Sequence, residues 1–115
     1  KKIIYSTIGL GDYLKNRLKD SNRIEFAFIY GSVARNEETE KSDIDLFIVG
    51  GIEERDLHEL MSVIEREIGR EVNYTLMTVK EFRERSNRGE PFMKRIEKEH
   101  KIVLKGDPDV YRKAG

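Results

Sequence analysis

The chain has 115 residues, with 22 lysines and arginines against 22 aspartates and glutamates, and no cysteine. A formal charge of zero gives no global pull toward nucleic acid or an anionic membrane, so any basic site has to be local. The absent cysteines exclude a disulfide framework and a thiolate metal site.

The longest apolar runs are far too short to span a bilayer, and no signal-like segment appears. A cytoplasmic protein with no membrane partner is the expectation. Residues 1–115 read as one domain, with enough chain for one real core. Charged residues make up 38%, which fits a thermophile's surface or an ordinary well-solvated one. The start at Lys1, without methionine, is compatible with a piece of a longer protein.

In chain order, Leu10, Tyr13, Leu14 and Leu18 recur at helical spacing and predict an amphipathic helix over Gly9–Lys19. The turn formers Asp20-Ser21-Asn22 end it. "IEFAFIY", Ile24–Tyr30, is aromatic and β-branched and reads as a buried strand. A Gly31-Ser32 turn follows, then one helical turn over Val33–Asn36 and a charged loop over Glu37–Ser42. "DIDLFIV", Asp43–Val49, is a second strand, apolar on both faces after its first residues, as an interior strand would be. Gly50-Gly51 breaks the chain. Leu57, Leu60, Met61, Ile64 and Ile68 predict a helix over Glu53–Ile68, stopped by Gly69. Glu71–Thr78 reads as a third strand, and Thr78 with Glu81 as a capping box opening the next helix. Asn87-Arg88-Gly89 interrupts that helix. Phe92, Met93 and Ile96 place a last helix, and "KIVLKG" a short final strand.

The candidate site is "YGSVARNEETEKSDIDLFIV". Side chains alternate along a strand, so Asp43 and Asp45 point the same way, about 7 Å apart. Two like charges at the edge of a buried face are unfavourable unless something positive joins them. Hard oxygen ligands without histidine or cysteine favour Mg²⁺ or Mn²⁺ over zinc. Mg²⁺ completes its shell with water and substrate phosphate, so the pair predicts a phosphate-bearing substrate. Glycine at 31 lets backbone approach a ligand, and Ser32 at a helix start adds a hydroxyl and free N–H groups. Separately, a D-x-D or a Gly-Ser is commonplace; together, at the facing ends of two strands, they are specific.

Gly31-Ser32, ten residues, then Asp43-x-Asp45 resembles the signature of the DNA polymerase β-like nucleotidyltransferase superfamily, in its minimal form. The likeness covers Ile24–Thr78; the rest is more loosely similar to archaeal members fused to a winged helix. The resemblance implies an α+β fold, a mixed β-sheet flanked by helices. It also implies Mg²⁺-dependent transfer of a nucleoside monophosphate from an NTP, ATP being expected, to an unknown acceptor with release of pyrophosphate. Gly31 and Ser32 would hold the triphosphate and Asp43 and Asp45 the metal. The acceptor could be a protein, since small members include antitoxins that modify a toxin. DNA would be met only through an upstream domain.

The sequence departs from the family pattern at one place. Active members bring a third carboxylate from the next strand, and here the best-placed residue is Asn73. An amide oxygen can coordinate a metal weakly but cannot take a proton. Glu71, two residues earlier on the same face, is the possible substitute. The alternative function is therefore a catalytically degenerate nucleotide-sensing or interaction domain, from a transcription regulator or an antitoxin.

Other residues divide more evenly. Arg35 could reach a phosphate or be a solvated helix arginine. Lys41 and Ser42 belong to the loop, and His58 and His100 read as surface. "KEFRERSNR", Lys80–Arg88, carries four cations, but its interleaved glutamates make it an ordinary solvated helix rather than a nucleic-acid face. Tyr5 and Ile3-Ile4 would pack on an upstream domain or form the first edge of this core.

Overall fold

A computed structural model describes residues 7–37 and 42–113. The Ile3-Ile4 and Tyr5 segment and most of the Glu37–Ser42 loop, Lys41 included, lie outside the described residues. The elements are α1 (Thr7–Leu18), β1 (Ile24–Tyr30), α2 (Gly31–Ala34), β2 (Ile44–Gly50), α3 (Glu54–Ile68), β3 (Val72–Met77), α4 (Val79–Asn87), α5 (Pro91–Lys98), β4 (Ile102–Lys105) and α6 (Pro108–Lys113). The four strands form one mixed sheet in the order β3-β2-β1-β4. β1 is antiparallel to β2 and β4, and β3 is parallel to β2 through the α3 crossover. This is the expected α+β architecture.

Strand alternation sorts the core onto two faces. Ala27, Ile29, Leu46 and Ile48 pack with Leu10, Leu14 and Leu18 of α1 and Leu57, Met61, Ile64 and Ile68 of α3. Phe26, Phe28, Phe47 and Val49 pack with Phe82 of α4 and Met93 and Ile96 of α5. The second face is aromatic: Phe28 and Phe47 stack at 4.9 Å, and Phe26 meets Phe82 edge-on at 4.9 Å, geometries that add to simple burial. Both inner strands are covered on both sides, which explains their unbroken apolar runs.

Local signals account for most boundaries. Gly69 caps α3 in the left-handed region with φ 70°, where a side chain would be strained. Thr78 and Glu81 close the expected capping box, with bonds of 3.0 and 2.8 Å. Thr78 is therefore the cap of α4 rather than the last residue of β3. Gly50 is the last residue of β2 and has to be glycine, since a Cβ there would meet the Arg23 carbonyl at 2.2 Å. Helix α6 has no counterpart in the expected elements. Its signals are Pro108 at the first turn and Asp107, whose Oδ1 accepts from Asp109 N–H at 2.9 Å. Tyr111 then lies 5.0 Å from Phe26.

Candidate functional site

The site forms where the β1 C-terminus meets the β2 N-terminus. The antiparallel register pairs Tyr30 with Asp45, and the parallel register pairs Asp45 with Asn73. Three backbone anchors hold this corner. Ile44 N–H donates to the Glu71 carbonyl at 2.9 Å. Val72 N–H donates to Glu65 Oε2 at 2.7 Å. The Arg70 guanidinium donates to the Ser42 carbonyl at 3.1 and 2.9 Å.

Asn73 Nδ2 reaches Asp43 Oδ2 at 3.2 Å and Asp45 Oδ1 at 3.4 Å. Both aspartates thus project to one place: Asp45 stands on β2 and Asp43, two residues earlier, immediately precedes that strand rather than opening it as the sequence predicts. Carboxylates only accept hydrogen bonds, so the amide turns its donor side toward them. Glu71 contributes its backbone carbonyl to this corner, and the residue is exposed.

Gly31 follows Tyr30 directly with φ +75°. A Cβ on it would lie 2.5 Å from Asp45 Oδ2. Glycine is required here twice over: for the left-handed backbone and to leave room for the carboxylate. Ser32 is the second residue of α2 rather than its cap. The cap position is Tyr30, and no side-chain hydrogen bond closes the helix there.

A cleft of about 710 Å³ opens over this corner, lined by Tyr30, Gly31, Ser32, Arg35, Asp45, Phe92, Arg95 and Glu99. Gly31, Ser32, Arg35 and Asp45 are thereby brought together. The sequence reading missed the α5 wall, because Phe92 counted there only as core. Phe92, Arg95 and Glu99, at steps of three and four, share one side of the helix end; that spacing was the available signal. The Phe92 ring is 6.0 Å from Tyr30 and 6.1 Å from Phe47, and the Arg95 guanidinium sits 5.5 Å above it. Arg35 Nε pairs with Glu37 at 3.0 Å and Arg35 Nη1 with Glu99 at 3.5 Å.

Elsewhere the plainer readings apply. His58 and His100 are exposed. Of the cations over Lys80–Arg88, Arg83 donates to the Tyr111 carbonyl, and Arg85 and Arg88 both pair with Glu90. A second cleft, about 530 Å³, lies between α1 and Glu67. Its Tyr13, Arg17 and Glu67 bond to one another. Hydrogen bonds from Arg17 first, then Tyr13, hold the Glu67 carboxyl below its ordinary range.

The donor set decides which metal would suit. Asp43 and Asp45 offer hard oxygens on one spot, and Mg²⁺ asks the protein for only one or two carboxylates. These residues therefore fit one hard cation. Among the described residues no group of three or more His, Cys, Asp or Glu gathers as a metal site.

A mixed sheet with a glycine-serine turn packed on a two-aspartate strand is the frame of a nucleotidyltransferase fold. The profile of the family described as Polymerase beta, Nucleotidyltransferase matches residues 12–109, and the chain belongs to that family. A toxin–antitoxin crystal structure with AMP-PNP is similar in fold, with a TM-score of 0.62 and 12% identity, covering 90% of this chain and 82% of that one. The MntA-HepT toxin–antitoxin crystal structure gives 0.54 and 11%, covering 90% and 79%. No curated protein matched. No helix among the described residues is long and apolar enough to cross a membrane.

Proposed function

We propose that the cleft binds an NTP with one Mg²⁺ or Mn²⁺, and that the domain transfers NMP from it to an acceptor hydroxyl. What supports this reading is the close approach of Gly31 to Asp45, near enough that a Cβ would lie 2.5 Å from the carboxylate, so that a turn suited to phosphate stands beside Asp45. Ser32 and the Gly31-Ser32 backbone would hold the triphosphate, and Arg35 would offer it a cation. A metal on Asp43 and Asp45 would neutralise phosphate charge and polarise a phosphoryl oxygen.

In the reaction the acceptor oxygen bonds to the α-phosphorus, the bond to pyrophosphate breaks, and the hydroxyl proton leaves to solvent. Asn73 orients the two aspartates through its amide but cannot take that proton. Turnover is accordingly slow, and positioning plus charge stabilisation do the rest. ATP is the expected nucleotide. A protein acceptor is favoured by the fold's likeness to toxin–antitoxin assemblies, one crystallised with AMP-PNP. Asn73 itself favours a second reading, a domain that binds nucleotide without turning it over.

Calorimetric titration of ATP with Mg²⁺ and in metal-free buffer, on the wild type and on Asp43→Ala with Asp45→Ala, tests the reading. Metal-dependent heat is expected in the wild type and should vanish in the double variant. Unchanged binding in that variant would place the site elsewhere. Labelled NTP with candidate protein acceptors then separates slow transfer from binding alone.

A further inference from the structure

The mouth of the cleft holds a carboxylate between two guanidiniums. Glu99 Oε1 lies 3.5 Å from Arg35 Nη1, and Glu99 Oε2 lies 3.5 Å from Arg95 Nε. All three side chains line the cleft that contains Gly31, Ser32 and Asp45. Local helix energetics do not explain this placement. Glu99 is the C-cap of α5, where a negative charge opposes the helix dipole. The dipole is met instead by Lys101 Nζ, which donates to the carbonyls of Ile96, Glu97 and Glu99 at 2.8, 3.1 and 3.1 Å. Arg95 is thus not needed at the helix end, and its pair with Glu99 runs in the weaker order, cation before acid at i,i+4. Both contacts are longer than the 2.7–2.9 Å or so of a tight charge-assisted bond. The Arg95 and Arg35 side chains keep 62% and 40% of their surface in solvent, against 23% for Glu99. Such contacts exchange readily for a stronger anion.

We propose that Arg35 and Arg95 form a two-arginine clamp for the polyphosphate end of the nucleotide, and that Glu99 occupies the clamp as an internal stand-in until polyphosphate displaces it. This rests on the reading of the cleft as an NTP site and adds Arg95 as a binding residue and Glu99 as a competitor. Each guanidinium can meet phosphate oxygens with a fork of donors, whereas Glu99 reaches each through one loose contact; the tighter pair of Arg35 with Glu37 uses Nε and leaves the Nη side to the cleft. Phe92 holds the Arg95 guanidinium over its ring and so keeps it aimed at the cleft.

The test uses sodium tripolyphosphate in metal-free buffer, which probes the arginines without the aspartate site. Calorimetry should show Glu99→Gln binding it about two- to fivefold tighter than wild type, the span of an exposed ion pair. Glu99→Asp should move the same way, since the shorter arm loosens both contacts. Arg95→Gln should weaken binding, Arg95→Lys less so, and the gain from Glu99→Gln should shrink once Arg95 is Gln and vanish once Arg35 is Gln as well. Unchanged or weaker binding in Glu99→Gln, or a full gain that survives loss of both arginines, overturns the clamp. Mg²⁺-dependent ATP binding is the separate arm. If Asp43→Ala with Asp45→Ala leaves it intact while Glu99→Gln still tightens tripolyphosphate, the aspartate-site reading fails and the clamp stands. If ATP needs the aspartates but Glu99→Gln changes nothing, the reverse holds.

Discussion

Replacing Asn73 by aspartate changes one atom of a donor into a charged oxygen. Asp43 Oδ2 and Asp45 Oδ1 lie 3.2 and 3.4 Å from that atom. A like charge there costs about 1 kcal/mol per contact at the dielectric of water and about 5 at an effective value of 20. Asn73 and Asp43 are exposed and Asp45 is partly so, so the low figure applies. With the two hydrogen bonds lost as well, at about 1 kcal/mol each, the sum is about 4–5 kcal/mol in metal-free buffer. For a domain of this size that lowers Tm by about 10 °C or more. Mg²⁺ should reverse much of the loss: a hundredfold excess over Kd returns about 2.7 kcal/mol, and three carboxylates hold the ion better than two. The assay is thermal unfolding by circular dichroism with and without Mg²⁺. Labelled-NTP transfer by the same variant should rise, by up to the roughly 10²- to 10⁴-fold that a positioned base is worth. If Asn73→Asp melts with wild type in metal-free buffer and gains nothing from Mg²⁺, the amide does not sit between the aspartates. If wild type turns over briskly and Glu71→Gln stops it, Glu71 is the third acid.

Gly31→Ala should cost about 1–2 kcal/mol by urea denaturation, for the left-handed backbone alone, and should abolish metal-dependent ATP binding by pushing Asp45 aside; a variant that binds normally would show that the turn is pliable. Ser32→Ala should weaken ATP by roughly 1.5–3 kcal/mol, one hydrogen bond to a charged group, with Tm nearly unchanged because Ser32 caps nothing; a large fall in Tm with normal affinity would make Ser32 structural. Thr78→Ala should remove about 1 kcal/mol of stability through the α4 cap and leave ATP affinity alone, since the cap lies outside the cleft; a loss of affinity would tie α4 to the site.

Much of the frame was legible because its signals are local. Strand β1 falls on Ile24–Tyr30 as the aromatic and β-branched run predicts, and α3 on the leucine and isoleucine spacing that ends at Gly69. The pairing of Asp43 with Asp45 follows from strand alternation, and the capping box at Thr78 from two residues three apart. Helix α6 was not legible in the same way. It is short, with Asp107 and Pro108 as its opening signals, and its Tyr111 gains its meaning from a contact with Phe26, far away in the chain.

The site divides along the same line. Residue type and spacing by themselves determined that a glycine-serine turn and a two-carboxylate strand face exist, and that no acid stands at position 73. Only the tertiary structure decided that Asn73 sits opposite Asp45, since a parallel crossover through α3 sets that register. Only it placed Gly31 against the Asp45 carboxylate, and only it folded Phe92, Arg95 and Glu99 over the cleft. The physical reason is range. Periodicity and capping act over three or four residues, whereas register and helix docking follow from burying the two faces of the sheet at once, which no short window of sequence contains.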